Sequence, residues 1–105
     1  MNLSQVEKVN TAPATAGTAD TNTTSITYYQ GVVNQEKADY TIKYAGITPI
    51  DYTFYFYGLS KVRAISANTN DAMNLSQVEK VNTAPTTAGT ADINTTSITY
   101  YQGIM

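Results

Sequence analysis

The stretch Ala38-Asp39-Tyr40-Thr41-Ile42-Lys43-Tyr44-Ala45-Gly46-Ile47, followed closely by Tyr52-Thr53-Phe54-Tyr55-Phe56-Tyr57-Gly58-Leu59, decides the fold class. In its first part Tyr40, Ile42 and Tyr44 alternate with Thr41 and Lys43, the two-residue period of a strand with one sheltered face. Gly46 to Asp51, with Pro49, reads as a turn. Tyr52–Leu59 is aromatic on both faces, which suits a central strand covered on both sides. Beyond it, Gly58 and Ser60 turn the chain toward a weaker strand near 62–67. Upstream, Ser25–Val33 is β-branched and aromatic, and it reappears as Ser97–Met105. The chain is therefore expected to be mainly β, a small antiparallel sheet or sandwich of four to five strands.

That reappearance is part of a longer one. Residues 1–33 align without a gap on residues 73–105, at an offset of 72, and only four positions differ: Ala14/Thr86, Thr21/Ile93, Val32/Ile104 and Val33/Met105. Each exchange needs one nucleotide transition, the mark of drift between gene copies, so the sequence reads as part of a tandem array of period 72. With the repeated block called A (1–33) and A′ (73–105) and the single block B (34–72), the order is A–B–A′. If B needs one partner, there is one block too many. Either copy could be left over, or the spare could dock on a neighbouring chain, a heterologous contact that does not close and so builds filaments.

Residues 11–24 and 83–96 are small and polar, broken by Pro13 and Gly17 in the first copy, and read as linkers or long loops. Long loops are uncommon inside compact domains. The expected division is therefore a terminal segment at 1–24, a structural unit at 25–82, a linker at 83–96 and a repeated strand, a candidate donor, at 97–105. In 72–82, Asp71 can cap a helix, Ser76 and Glu79 have capping-box spacing, and Ala72, Leu75 and Val78 recur every third residue. A short helix is favoured there over a strand, with a frayed counterpart at 2–10.

Composition excludes much chemistry. There is no His and no Cys, which removes imidazole and thiolate catalysis, the metal sites built from them, and disulfides. The glycines are isolated and form no phosphate-binding loop. Glu36, Asp39 and Asp51 are better explained as turn and strand-end charges than as a glycosidic pair. Asp20-Thr21-Asn22 and Asn68-Thr69-Asn70-Asp71 offer oxygen ligands without the spacing of a calcium loop, so no metal or cofactor is expected. Six Lys plus Arg against eight Asp plus Glu leave no basic stripe for nucleic acid. No apolar run reaches 18 residues, and the first residues are not a signal peptide.

The uncharged polar residues, 18 Thr and 9 Asn beside 9 Tyr, resemble the composition of microbial surface proteins and virion parts. Asn-x-Ser/Thr sequons at Asn2, Asn22, Asn74 and Asn94 add weakly to an extracellular or cell-surface location, as part of a larger protein. The leading expectation is a non-enzymatic structural or adhesive repeat module of a surface or filament protein. Self-association would be by strand exchange, with Ile98, Tyr100 and Tyr101, or their counterparts Ile26, Tyr28 and Tyr29, entering the partner sheet. The alternatives are a glycan- or mucin-binding module using exposed tyrosines such as Tyr55 and Tyr57, and a phage or virus fibre or decoration component.

Overall fold

The computed structural model describes residues 3–31 and 35–101. Six strands form one antiparallel sheet in chain order: β1 Leu3–Glu7, β2 Thr23–Gln30, β3 Lys37–Ala45, β4 Thr48–Tyr57, β5 Met73–Glu79 and β6 Thr95–Tyr100. Every connection is a hairpin, so each strand pairs only with its neighbours in sequence. The molecule is thin, 39 × 36 × 20 Å, enough for one sheet and one covering layer but not a second sheet with its own cover. It is an open sheet rather than a sandwich, and it has six strands where four to five were expected.

Both repeated blocks account for the difference. Block A is the hairpin β1–β2 and block A′ is the hairpin β5–β6, one on each side of the block B hairpin β3–β4. Neither copy is left over: β2 pairs with β3, with Ile26 opposite Ile42 and Tyr28 opposite Tyr40, while β5 pairs with β4, with Leu75 opposite Phe56 and Gln77 opposite Phe54.

The helix expected over 72–82 is strand β5, and the described part of its counterpart at 2–10 contains β1. Ser76 and Glu79 do not cap anything. Ser76 meets the Tyr101 hydroxyl and Glu79 accepts from Thr95. Leu75, Gln77 and Glu79 are all buried, so the period that matters is two, disguised because two of its three inward residues are polar. The strand expected at 62–67 is a short 3-10 turn, Ala64–Ser66, preceded by a single bridge from Val62 to Tyr57.

The turn expected across 46–51 is shorter. Ala45 pairs with Thr48, leaving only Gly46 and Ile47 in the loop. Gly46 takes φ +66° and Ile47 stays out of the positive region, the pattern of a tight turn whose twist matches the strands. Pro49 then sits in the first turn-side residues of β4, next to a bulge and outside the stretch that β5 covers, where a missing N–H does no harm.

One face of the sheet is covered and the other is open. On the covered face Phe54, Phe56 and Leu75 form the core, with Tyr40, Tyr52, Ile98, Ala84 and Ala88 packed against it. The cover has three parts. Residues 8–22 lie over β1 and β2, residues 80–94 over β5 and β6, and the 58–72 segment over the middle strands. Arg63 fixes that last segment by a bidentate hold on Asp39 Oδ1, at 2.7 and 3.2 Å, with its guanidinium 5.0 Å from the Phe54 ring centre. Lys37 Nζ adds a 2.7 Å bond to the Asp71 carbonyl.

Candidate interaction surfaces

Each repeated hairpin carries a hydrogen-bond network that makes its long loop part of the fold. In block A, Gln5 Nε2 donates to Glu7, to the Thr18 carbonyl and to Thr23 at 3.1, 3.0 and 3.3 Å, and Gln5 Oε1 accepts from the Gly17 N–H at 2.9 Å. The Thr23 hydroxyl donates to Glu7 at 2.8 Å and accepts from the Asp20 N–H, also at 2.8 Å. Block A′ repeats all of it through Gln77, Glu79, Thr90, Thr95, Gly89 and Asp92, and no distance changes by more than 0.1 Å. Gly17 and Gly89 both sit at φ +84°, a backbone only glycine adopts freely, and their lack of Cβ lets the loop lie on Leu3 and Leu75. The small residues that looked like a linker are what permits that close approach.

The same geometry explains Asp20 and Asp92. Each lies in one of the Asn/Asp turns considered as a cation site. The Asn22 and Asn94 backbone N–H groups bond them at 2.8 Å and hold their carboxyls below the usual range, helped by Glu7 and Glu79. In the other Asn/Asp turn the carboxylate is also used within the turn, but in the reverse sense: Asp71 Oδ2 accepts from the N–H of Asn68, three residues before it, at 2.8 Å. Among the described residues no three acidic side chains gather as a metal site would require.

Strand alternation divides the tyrosines. Tyr28 lies on the covered face, stacked on Tyr40 at 4.9 Å, and Tyr40 continues to Phe54 at 6.0 Å. Burial, and then the neighbouring Tyr28, pushes the Tyr40 and Tyr44 phenols up. Tyr57 is buried with its hydroxyl on the Ala38 carbonyl at 2.7 Å, and burial pushes it up to about 12. Tyr29, Tyr55 and Tyr101 lie on the open face among hydroxyls. Tyr29 meets Ser4, Tyr101 meets Ser76, and Thr41 joins both Thr27 and Tyr55 at 2.8 Å. Tyr100 is at the rim of the covered face, 63 % exposed, its hydroxyl reaching the Gly89 carbonyl.

The two edges of the sheet are the surfaces that sequence reasoning located only in part. Ile98, Tyr100 and Tyr101 belong to or adjoin β6, one edge, while their counterparts Ile26, Tyr28 and Tyr29 belong to an inner strand. The other edge, β1, was missed because its residues read as a frayed helix. It presents Leu3 and Gln5 half-buried and Val6 exposed, where the equivalent Leu75 and Gln77 are fully buried. At the β6 edge, exposed Ile93, in the loop before that strand, is a further apolar residue. The alignment of 1–33 on 73–105 carried the signal: a strand repeated on both sides of a single hairpin must be inner in one copy and outer in the other.

The chain matches no protein-family model, no curated protein and no solved structure.

Proposed function

We propose that the chain is a structural repeat module of a filament or cell-surface assembly, in which A and B hairpins alternate along one sheet and blocks are exchanged between chains by strand complementation. One observation carries this reading. The outer edge of β6 has the sequence of the β2 edge that docks on β3, and the outer edge of β1 has that of the β5 edge that docks on β4. An exposed strand edge is a template for pairing, and both edges here are templates for hairpin B. The reading assigns no reaction, in keeping with a sequence that has neither His nor Cys, and it places the module outside the cell as part of a larger protein.

Size-exclusion chromatography with light scattering over a range of concentrations, with the same samples in negative stain, tests it. A ladder of oligomers or fibres is expected. A monomer of 11.4 kDa at every concentration would sink the exchange reading. A second reading, glycan binding, is favoured by the open face, where the hydroxyls of Tyr29, Tyr55 and Tyr101 meet those of Ser4, Thr41 and Ser76. It predicts tyrosine resonance shifts on titration with soluble glycans, without any change of oligomeric state.

A further inference from the structure

Resting on the strand-exchange reading, we infer that the donor edge is β6 and that it docks on β3 of a second copy, paired with Ser97 opposite Lys43, Ile98 opposite Ile42, Thr99 opposite Thr41 and Tyr100 opposite Tyr40. The register is that of β2 on β3 within the chain, residue for residue. In the partner copy, β6 of the first chain takes the place that its own β2 vacates.

The side chains of β6 are those of a docked strand lacking its neighbour. Ile26 is fully buried, while the same residue at Ile98 is only half-buried. Tyr28 is stacked on Tyr40 at 4.9 Å, while Tyr100 is 63 % exposed. The Thr27 hydroxyl meets Thr41 at 2.8 Å, while Thr99 is exposed to solvent. Ile93, 92 % exposed, replaces Thr21, whose backbone lies against Gly46 of the β3–β4 turn, so docking would cover Ile93 as well. One apolar pair, one aromatic stack and one hydroxyl pair are thus waiting on the edge, all answered by residues of β3.

The backbone also fits. The Tyr101 N–H donates to the Asn74 carbonyl at 2.9 Å. Donors alternate along an antiparallel strand, so the Ser97 and Thr99 N–H groups face β5 and those of Ile98 and Tyr100 face outward. These are the donors that Ile26 and Tyr28 spend on β3. Because A′ on one chain replaces A on the next, the number of A–B contacts is conserved at each step. The displaced block is left free, and the contact is heterologous and repeats without closing.

The absence of cysteine in the chain makes the register testable. A Thr99→Cys chain and a Thr41→Cys chain are unfolded together, refolded at high concentration and oxidised mildly. In the inferred register these positions form a non-hydrogen-bonded pair, whose close side chains suit a disulfide. The expected product is a mixed disulfide dimer, well above that from Ser97→Cys with Thr41→Cys, which is two residues out of register. Adding Tyr100→Pro to the Thr99→Cys chain removes an outward donor and the long, exposed Tyr100–Gly89 contact but no β5–β6 backbone hydrogen bond, so a circular-dichroism melt should remain, lowered at most slightly, while the cross-link is lost. A mixed dimer no more abundant than the off-register control, or one that survives Tyr100→Pro, overturns the inference. If the unsubstituted chain still forms its ladder in that event, exchange stands and the partner edge is another. If no ladder forms, the functional reading fails with it.

Discussion

Leu3 and Leu75 are the same residue in two copies of one block, and so are Ile26 and Ile98, yet their surroundings are reversed. In the first copy the second strand is inside and Ile26 is sealed. In the second copy the first strand is inside, sealing Leu75, Gln77 and Glu79. The hydrogen bonds that tie the long loop to its hairpin agree between the copies to within 0.1 Å. The block's own sequence dictates the hairpin and its loop, and the position relative to hairpin B dictates burial. Local chemistry and packing, usually inseparable, are separated here by a control built into the sequence.

The largest effects should come from breaking that control at its apolar positions. Leu75→Ala should cost about 3 kcal/mol and Leu3→Ala about 1 kcal/mol, since only the first leaves a cavity in a closed core. Ile26→Ala and Ile98→Ala should show the same difference in the opposite copies. Denaturant unfolding of the four variants checks this, and equal losses at Leu3 and Leu75 would mean that edge strand β1 is sealed as well as inner strand β5. Next comes the glutamine. Gln77→Ala strips partners from the Gly89 N–H and from the buried Glu79, for about 2 kcal/mol. Gln5→Ala does the same where water can substitute, for about half that.

Acid should act on the two copies together. The Asp20 and Asp92 carboxyls are held below their ordinary 3.8. Their stabilisation is therefore complete above that value and is lost as pH falls through the depressed values. Amide exchange at Gly17 and Gly89 would follow the loops opening, with Gly89 the slower because Gln77 is the better sealed. Base should act on block B alone. Tyr57, raised from 10.0 to about 12 by burial, has no counterpart in A. Its stabilisation is whole below 10.0 and lost as pH rises toward 12, visible as a falling melting temperature. The smallest effect is expected at the described differences between copies. Thr86→Ala and Ile93→Thr lie on exposed loop and should change monomer stability by less than about 0.5 kcal/mol; the Val32/Ile104 and Val33/Met105 pairs fall outside the described residues.

The central hairpin was legible because Tyr40–Tyr44 alternates and Tyr52–Tyr57 is unmistakably strand-forming. Strand β2 was legible for the same reason. Strands β1 and β5 were not, because burial of Gln77 and Glu79 breaks the apolar alternation by which inner strands are recognised, and because Ser76 and Glu79 imitate a helix cap. The loops were misleading in a similar way. Thr, Ala and Gly mark flexible tethers when nothing holds them, but here Gln5 and Gln77 reach three residues across the hairpin. The repeat suggested a spare block, whereas hairpin B accepts both copies at once, because each A hairpin offers it a different strand.

Consecutive pairing of all six strands has a mechanical meaning. A pull applied between β1 and β6 runs across the strands, so hydrogen bonds open one hairpin at a time like a zip instead of being sheared together. Four strands occupy about 19 Å of sheet width, while 72 residues drawn out span about 245 Å. A unit of this design is a soft spring with roughly a tenfold reach, and its local hairpins re-form quickly when the load is released. Force spectroscopy on the chain held by its two edges would record this as a series of small, low-force steps.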